Sequence, residues 1–207
     1  MTYNRENESL LKAKQLLALI LAAFILAGFT PGQFATGEVS ADEGVPVITS
    51  VGKTNVKING VKSKGKLVKY TVPEQLLADP DFLSLMIEAE KYIGYPYVYG
   101  GSKPETSFDC SGFVCWVFNQ SGVCRIKRIG AKALYSLCTD IPREEARPGD
   151  LVFFEKTRGT NVKGITHVGI YVGNNMMIHA GDPIGFADLK SENWAKKLYG
   201  FGRLPKK

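Results

Sequence analysis

At 207 residues, with 44% hydrophobic and 22% charged positions, the chain holds enough apolar mass for one domain of ordinary size plus an appendage, which excludes a solvated, charge-dominated polymer. Basic residues outnumber acidic ones by 26 to 20, a formal charge of +6, and because residues 1–41 are balanced the whole excess falls downstream of them. Two readings stay open: an anionic partner such as nucleic acid, a membrane or a bacterial wall polymer, and a basic surface that serves only solubility.

Leu16 to Phe29 is an unbroken apolar run of 14 residues behind Lys12 and Lys14, with Pro31-Gly32 beyond it. A membrane span needs about 20 apolar residues, whereas a run of this size fits the apolar core of an export signal. Ala35-Thr36-Gly37 and Val39-Ser40-Ala41 offer the small residues that a signal peptidase cuts after, so residues 1–41 read as a cleaved signal or, if the run extends toward Ala35, as a retained anchor with its linker. Phe29 stands where a lipoprotein would carry its lipid-bearing cysteine, which argues against that class. Residues 42–72 are a linker and a small basic hairpin. Asn59-Gly60 centres a two-residue turn between Val56-Lys57-Ile58 and Val61-Lys62, and Lys53, Lys64, Lys66 and Lys69 add charge. These lysines are either a solvated face or a loose attachment to anionic wall polymer; without interleaved aromatic residues for base stacking, nucleic acid is disfavoured.

The main domain is expected over residues 73–207. Asp79 caps a helix that Pro80 opens, with Phe82, Leu85, Met86, Ala89 and Ile93 on one apolar face and Gly94 as the stop. A Gly- and Tyr-rich loop then leads to Cys110, and Cys110, Phe113, Val114, Val117 and Phe118 repeat with helical spacing up to a stop at Asn119 to Gly122. Cys110 therefore opens a helix, where the macrodipole favours an anion and a thiolate nucleophile is at home; a small buried hydrophobe is the alternative at this point. A short helix is expected through Lys132 to Cys138.

From Leu151 onward the pattern changes to short strands: Leu151 to Phe154, His167 to Val172, Met176 to His179 and Tyr199 to Leu204, with Gly173-Asn174-Asn175 turning the second into the third. Helices followed by strands predict an α+β fold with an antiparallel sheet. His167 and His179, the two histidines of the chain, flank that turn at near-matching distances, so a hairpin brings them together across the ladder. A thiolate, an imidazole that moves its proton, and a third group that fixes the imidazole tautomer make a nucleophilic triad, and Cys110, His167 and His179 fill those roles in that order.

Four ordered stretches carry a resemblance: Gly94 to Gly101 (GYPYVYGG), Phe108 to Val114 (FDCSGFV), Arg147 to Phe154 (RPGDLVFF), and His167 to Gly173 (HVGIYVG) with Ile178-His179-Ala180. Together they resemble the NlpC family of papain-like cell-wall cysteine peptidases, over about Phe82 to Leu204. The resemblance implies a half-papain fold, with a nucleophile helix packed on a five- or six-stranded antiparallel sheet. It implies hydrolysis of amide bonds in peptidoglycan stem peptides, typically between a D-γ-glutamyl residue and a diamino acid, with no cofactor; no Cys-x-x-Cys or His-x-x-x-His spacing supports a metal site. It gives Cys110 as nucleophile, His167 as base, His179 as orienting residue and Tyr97 as the hydroxyl that steadies the oxyanion with the Cys110 N–H; the spacing from Tyr97 to Cys110 is one residue longer than in some relatives. Asp109 and Ser111 match residues that hold an amine or carboxylates of the substrate, and Asp109 is equally a helix cap. The implied setting is secreted or membrane-anchored, facing the wall of a Gram-positive bacterium, and the chain also resembles versions carried on conjugative elements. An acyltransferase on wall peptides and an inactive wall-binding module are the alternatives. Of the other cysteines, Cys115 falls on the far side of the helix and reads as core, and Cys124 and Cys138 are either free or paired.

Overall fold

The computed structural model describes residues 45–205 apart from 158, 160 and 161; the apolar run Leu16 to Phe29 and the rest of the leader lie outside the described residues. Residues 44–207 form one compact unit. Among the described residues no helix is long and apolar enough to cross a membrane.

The first elements are β1 (Lys57–Ile58) and β2 (Val61–Lys62), an antiparallel pair whose turn residues Asn59 and Gly60 both hold positive φ, as a two-residue hairpin loop requires. The stretch around this hairpin is laid onto the rest of the unit. Ile48 and Val72 are fully or nearly buried in the main core, and Val56 donates its N–H to the Gly94 carbonyl at 2.9 Å. Helix α1 (Pro80–Glu90) starts as expected: the Asp79 carboxylate accepts the N–H groups of Asp81 and Phe82, and Pro80 sits where no intrahelical donor is needed. Its Phe82, Leu85, Met86 and Ala89 are buried, and the chain leaves the helix through Gly94 at φ 93°.

A short ribbon of β3 (Ser102–Lys103) and β4 (Ser107–Phe108) leads into α2 (Cys110–Gln120), which is followed by α3 (Ala131–Leu137). The sheet comprises β5 (Thr139–Ile141), β6 (Leu151–Glu155), β7 (Ile165–Gly173), β8 (Met176–His179), β9 (Gly185–Asp188) and, after the short α4 (Glu192–Ala195), β10 (Leu198–Arg203). Its order is β5-β10-β6-β7-β8-β9 and every pairing is antiparallel, so the fold is α+β with a six-stranded sheet, as the residues predict. The sequence reading passed over β5 and β9. Both are outer strands, and neither Thr139-Asp140-Ile141 nor Gly185-Phe186-Ala187-Asp188 has a run of β-branched residues; only pairing with β10 and β8 makes them extended.

Alternation along β7 divides the core. Val168, Ile170 and Val172 face the layer that contains α1 and α2, while Phe154, Met177 and Phe201 form a second cluster on the other face. Phe113 of α2 and Phe108 just before it are fully buried, with ring centroids 6.0 Å apart. Truncating either to alanine would cost about 3–5 kcal/mol, enough to threaten a domain of this size. The nucleophile candidate is thus mounted on a helix held by the core.

Candidate active site

Cys110 is the first residue of α2, and the structure explains why a helix begins there. Asp109 caps it: one carboxylate oxygen accepts the Gly112 N–H at 2.7 Å and the Ser111 hydroxyl at 2.9 Å, and the other accepts the Gly100 N–H at 3.0 Å. Such a cap is worth about 1 kcal/mol to the helix, and it ties the preceding loop to the first turn. The loop passes so close that a Cβ on Gly112 would lie 2.1 Å from the Gly101 carbonyl oxygen, so a side chain at 112 is incompatible with this approach. Arg128, which the sequence reading did not single out, completes the arrangement: its Nη2 lies 2.6 Å from Asp109 Oδ2, and its Nη1 donates to Ser111 Oγ at 3.0 Å and to the Ile129 carbonyl at 2.8 Å. The Asp109 carboxylate therefore meets four donors, which fills the acceptor positions of such a group. An unpaired carboxylate one residue before Cys110 would oppose a thiolate. Arg128 offsets it and leaves the positive end of the helix to act on the sulfur.

The histidines meet, though not as directly opposed partners. Ile170 pairs with Ile178 and Tyr171 with Met177, so continuing that register sets His179 across from Gly169, two residues along from His167 on the same face. The rings make the diagonal contact: His167 Nε2 lies 2.8 Å from His179 Nδ1, with ring centroids 5.0 Å apart at 80°. Gly169 makes room, since a Cβ there would fall 3.1 Å from His179 Cβ and 2.9 Å from Met177 Sδ. His179 is only 6% exposed, and burial holds its pKa well below the ordinary imidazole value of 6.5, at about 4, so it is neutral at neutral pH. A neutral ring with its proton on Nε2 offers Nδ1 as an acceptor for the His167 Nε2–H.

Trp194 of α4, also absent from the sequence reading, covers this pair. Its ring lies 5.3 Å from His167 at 30° and 4.9 Å from His179 at 83°, with Phe154 at 4.7 Å behind it. The hydrogen bond between the imidazoles is thereby shielded from competing water.

Two cavities carry these residues. One of about 390 Å³ is lined by Asp109, Cys110, Ser111, Arg128, Lys132 and Thr166. The other, of about 600 Å³, is lined by Tyr97, His167, His179 and Trp194 among others. Cys110 is 1% exposed and contributes to the floor of the first. Tyr99 lines both and is 73% exposed, so it stands between them. Thr166 of the first cavity shares a hydrogen bond of 2.7 Å with Thr157 of the second. Tyr97 is half-buried, while Tyr95 turns inward, edge-on to Tyr92 at 5.6 Å. A further cavity of about 330 Å³, between α1 and the end of β10, contains none of the predicted site residues.

The remaining cysteines are free thiols. Burial raises the Cys115 pKa, and its Sγ lies 3.5 Å from the Lys127 carbonyl. Burial, followed by the nearby Asp150 and Asp140, pushes Cys138 up to about 12.

The sequence profile of the NlpC/P60 family matches residues 94–203. Over 122 residues, 58% of this chain and 36% of the relative, it is 47% identical to the bifunctional muramidase/DL-endopeptidase CwlT of Bacillus subtilis. Over 166 residues it is 34% identical to the gamma-DL-glutamyl hydrolase of Bacillus subtilis, covering 78% of this chain and 39% of that one. A crystal structure of an NLP/P60 family protein of Staphylococcus aureus, described as similar to lipoprotein, superposes with a TM-score of 0.57 at 45% identity, over 61% of this chain and 42% of that one. The chain thus spans less than two-fifths of the length of either curated relative.

Proposed function

The chain belongs to the NlpC/P60 family, and from that premise we propose that it is a cysteine peptidase that hydrolyses amide bonds in peptidoglycan stem peptides, between a D-γ-glutamyl residue and the diamino acid after it. The observation that carries the reading is the 2.8 Å bond between His167 and a His179 kept neutral by burial, because it prepares one imidazole to act as a proton carrier. The names of the relatives, a DL-endopeptidase and a glutamyl hydrolase, support the substrate class.

In this mechanism the Cys110 thiolate attacks the amide carbonyl carbon. The oxyanion that forms is steadied by the Cys110 N–H and the Tyr97 hydroxyl, and His167 Nδ1–H protonates the departing amine. A thioester remains on Cys110. Water, losing its proton to His167, then attacks the thioester and releases the acid. His179 keeps the His167 tautomer through both steps. Ser111, Arg128 and Lys132 line the cavity beside the sulfur and suit a carboxylate on the acyl half of the substrate, with Asp109 holding that wall through its cap and ion pair. Export by the apolar leader, cleaved or retained as an anchor, and loose attachment of the basic hairpin to anionic wall polymer complete the proposal.

Purified muropeptides incubated with the protein and weighed by mass spectrometry test it. Stem cleavage is expected, with activity abolished in Cys110→Ser and reduced about 10²- to 10⁴-fold in His167→Ala. New cross-links would identify an acyltransferase, and an unchanged digest would mean a binding module. Undiminished cleavage by either variant would overturn the assigned chemistry.

A further inference from the structure

Part of the larger cavity's wall comes from outside the catalytic motifs. Lys66 and Val68 line it beside His167, His179 and Trp194, yet both precede residue 94, where the family match begins. The stretch is fixed in place by a set of specific bonds. Gly65 donates its N–H to the Asp182 carbonyl at 3.1 Å and accepts from Asn55 Nδ2 at 2.8 Å, and a Cβ on Gly65 would lie 2.3 Å from that Asp182 oxygen. The Asp182 carboxylate spans the two sides, one oxygen accepting the Lys64 N–H at 3.3 Å and the other the Tyr97 N–H at 3.4 Å. Further on, Leu67 packs against the main core, Ser50 Oγ donates to the Val68 carbonyl at 2.5 Å, and the Tyr70 ring meets Phe186 edge-on at 5.0 Å. With Leu67 turned inward, Lys66 and Val68 are left facing the cavity.

The chemistry says which half of the substrate this wall meets. The imidazole hands its proton to the departing amine, so the side of the cleft that His167 lines holds the leaving group. Among the described residues lining that cavity, Lys66 is the sole lysine or arginine; its one aspartate, Asp182, is engaged by backbone N–H groups. We infer that residues 63–70 form a recognition strap for the leaving-group half of the substrate, in which Lys66 pairs with a carboxylate on that half while the exposed Val68 and Tyr99 flank it with apolar surface. The inference rests on the amide hydrolysis proposed above. The carboxylate belongs either to the side chain of the diamino acid or to the terminus of the residue after it.

Four synthetic stem peptides test this. The position after the γ-glutamyl bond is lysine or meso-diaminopimelate, and each version ends in D-alanine as the free acid or as the amide. Wild-type protein is expected to show a KM about 2- to 5-fold lower for the peptides that carry the recognised carboxylate, at unchanged kcat, the size typical of a solvent-exposed ion pair. Lys66→Met erases that preference, Lys66→Glu reverses it, and high salt weakens it in the wild type. A preference for diaminopimelate over lysine at a fixed terminus assigns the side-chain carboxylate, and a preference for the free acid over the amide at a fixed diamino acid assigns the terminus. If all four peptides are cleaved with one KM by the wild type and Lys66→Met alike, the strap assignment is wrong and the hydrolase reading stands. If the wild type cleaves none, the hydrolase reading itself falls.

Discussion

Replacing His179 with asparagine separates the two properties the proposed mechanism asks of its ring, which are to accept a hydrogen bond from His167 and to resist protonation. The folded pKa of about 4, against 6.5 for an ordinary imidazole, means that the unfolded chain takes up a proton as the pH falls through 6.5 while the folded protein refuses it until about 4. Stability tied to this ring is therefore complete above about pH 6.5 and is lost as the pH drops toward 4; at 1.36 kcal/mol per pH unit the loss amounts to about 3 kcal/mol, most of it reached by pH 4.5. For a domain of this size that lowers Tm by roughly 6–12 °C. Asparagine has no proton to refuse, so His179→Asn should lack this component of the acid slope, whatever the other titrating groups contribute to both proteins. Urea unfolding at pH 7.5 and pH 4.5, followed by tryptophan fluorescence, measures the difference. In activity, the His179→Asn variant can still present a side-chain oxygen to the His167 Nε2–H and should keep kcat within about tenfold, whereas His179→Ala leaves that donor unpaired and should cost about 10²- to 10⁴-fold. Parallel acid destabilisation of wild type and His179→Asn, or full activity in His179→Ala, would refute the account of a buried neutral acceptor.

Arg128→Met removes the partner of the Asp109 carboxylate and should move the pH midpoint of Cys110 alkylation upward by about half a unit to one unit, since the lost pair is partly exposed; an unmoved iodoacetamide profile would show that Arg128 does not act on the sulfur. In the wild type the same labelling, read by peptide mass, should modify Cys110 before Cys115 and Cys138, whose thiols burial keeps protonated. Trp194→Ala opens the imidazole pair to water and should lower kcat about tenfold, with Trp194→Phe recovering most of it; steady-state kinetics decide, and an unchanged kcat in the alanine variant would reduce Trp194 to packing.

What the amino-acid sequence determined by itself was local. Asp79-Pro80 and Asp109 announce helix starts because a short carboxylate can satisfy N–H groups two and three residues ahead, and Asn59-Gly60 and Gly173-Asn174-Asn175 announce turns because those residues tolerate positive φ. Strand periodicity then set the two histidines on either side of one turn, and with Cys110 at a helix start the candidate chemistry was already legible. The tertiary structure alone decided how those parts are completed. The diagonal register that joins His167 to His179 past Gly169, Arg128 brought back to Asp109 from 19 residues away, Trp194 laid over both imidazoles, and residues 63–70 pinned along the cavity by Asp182 all depend on partners distant in the chain. No periodicity or capping rule encodes such pairings, because their free energy comes from desolvation and contact between surfaces that exist only once the sheet and helices have assembled.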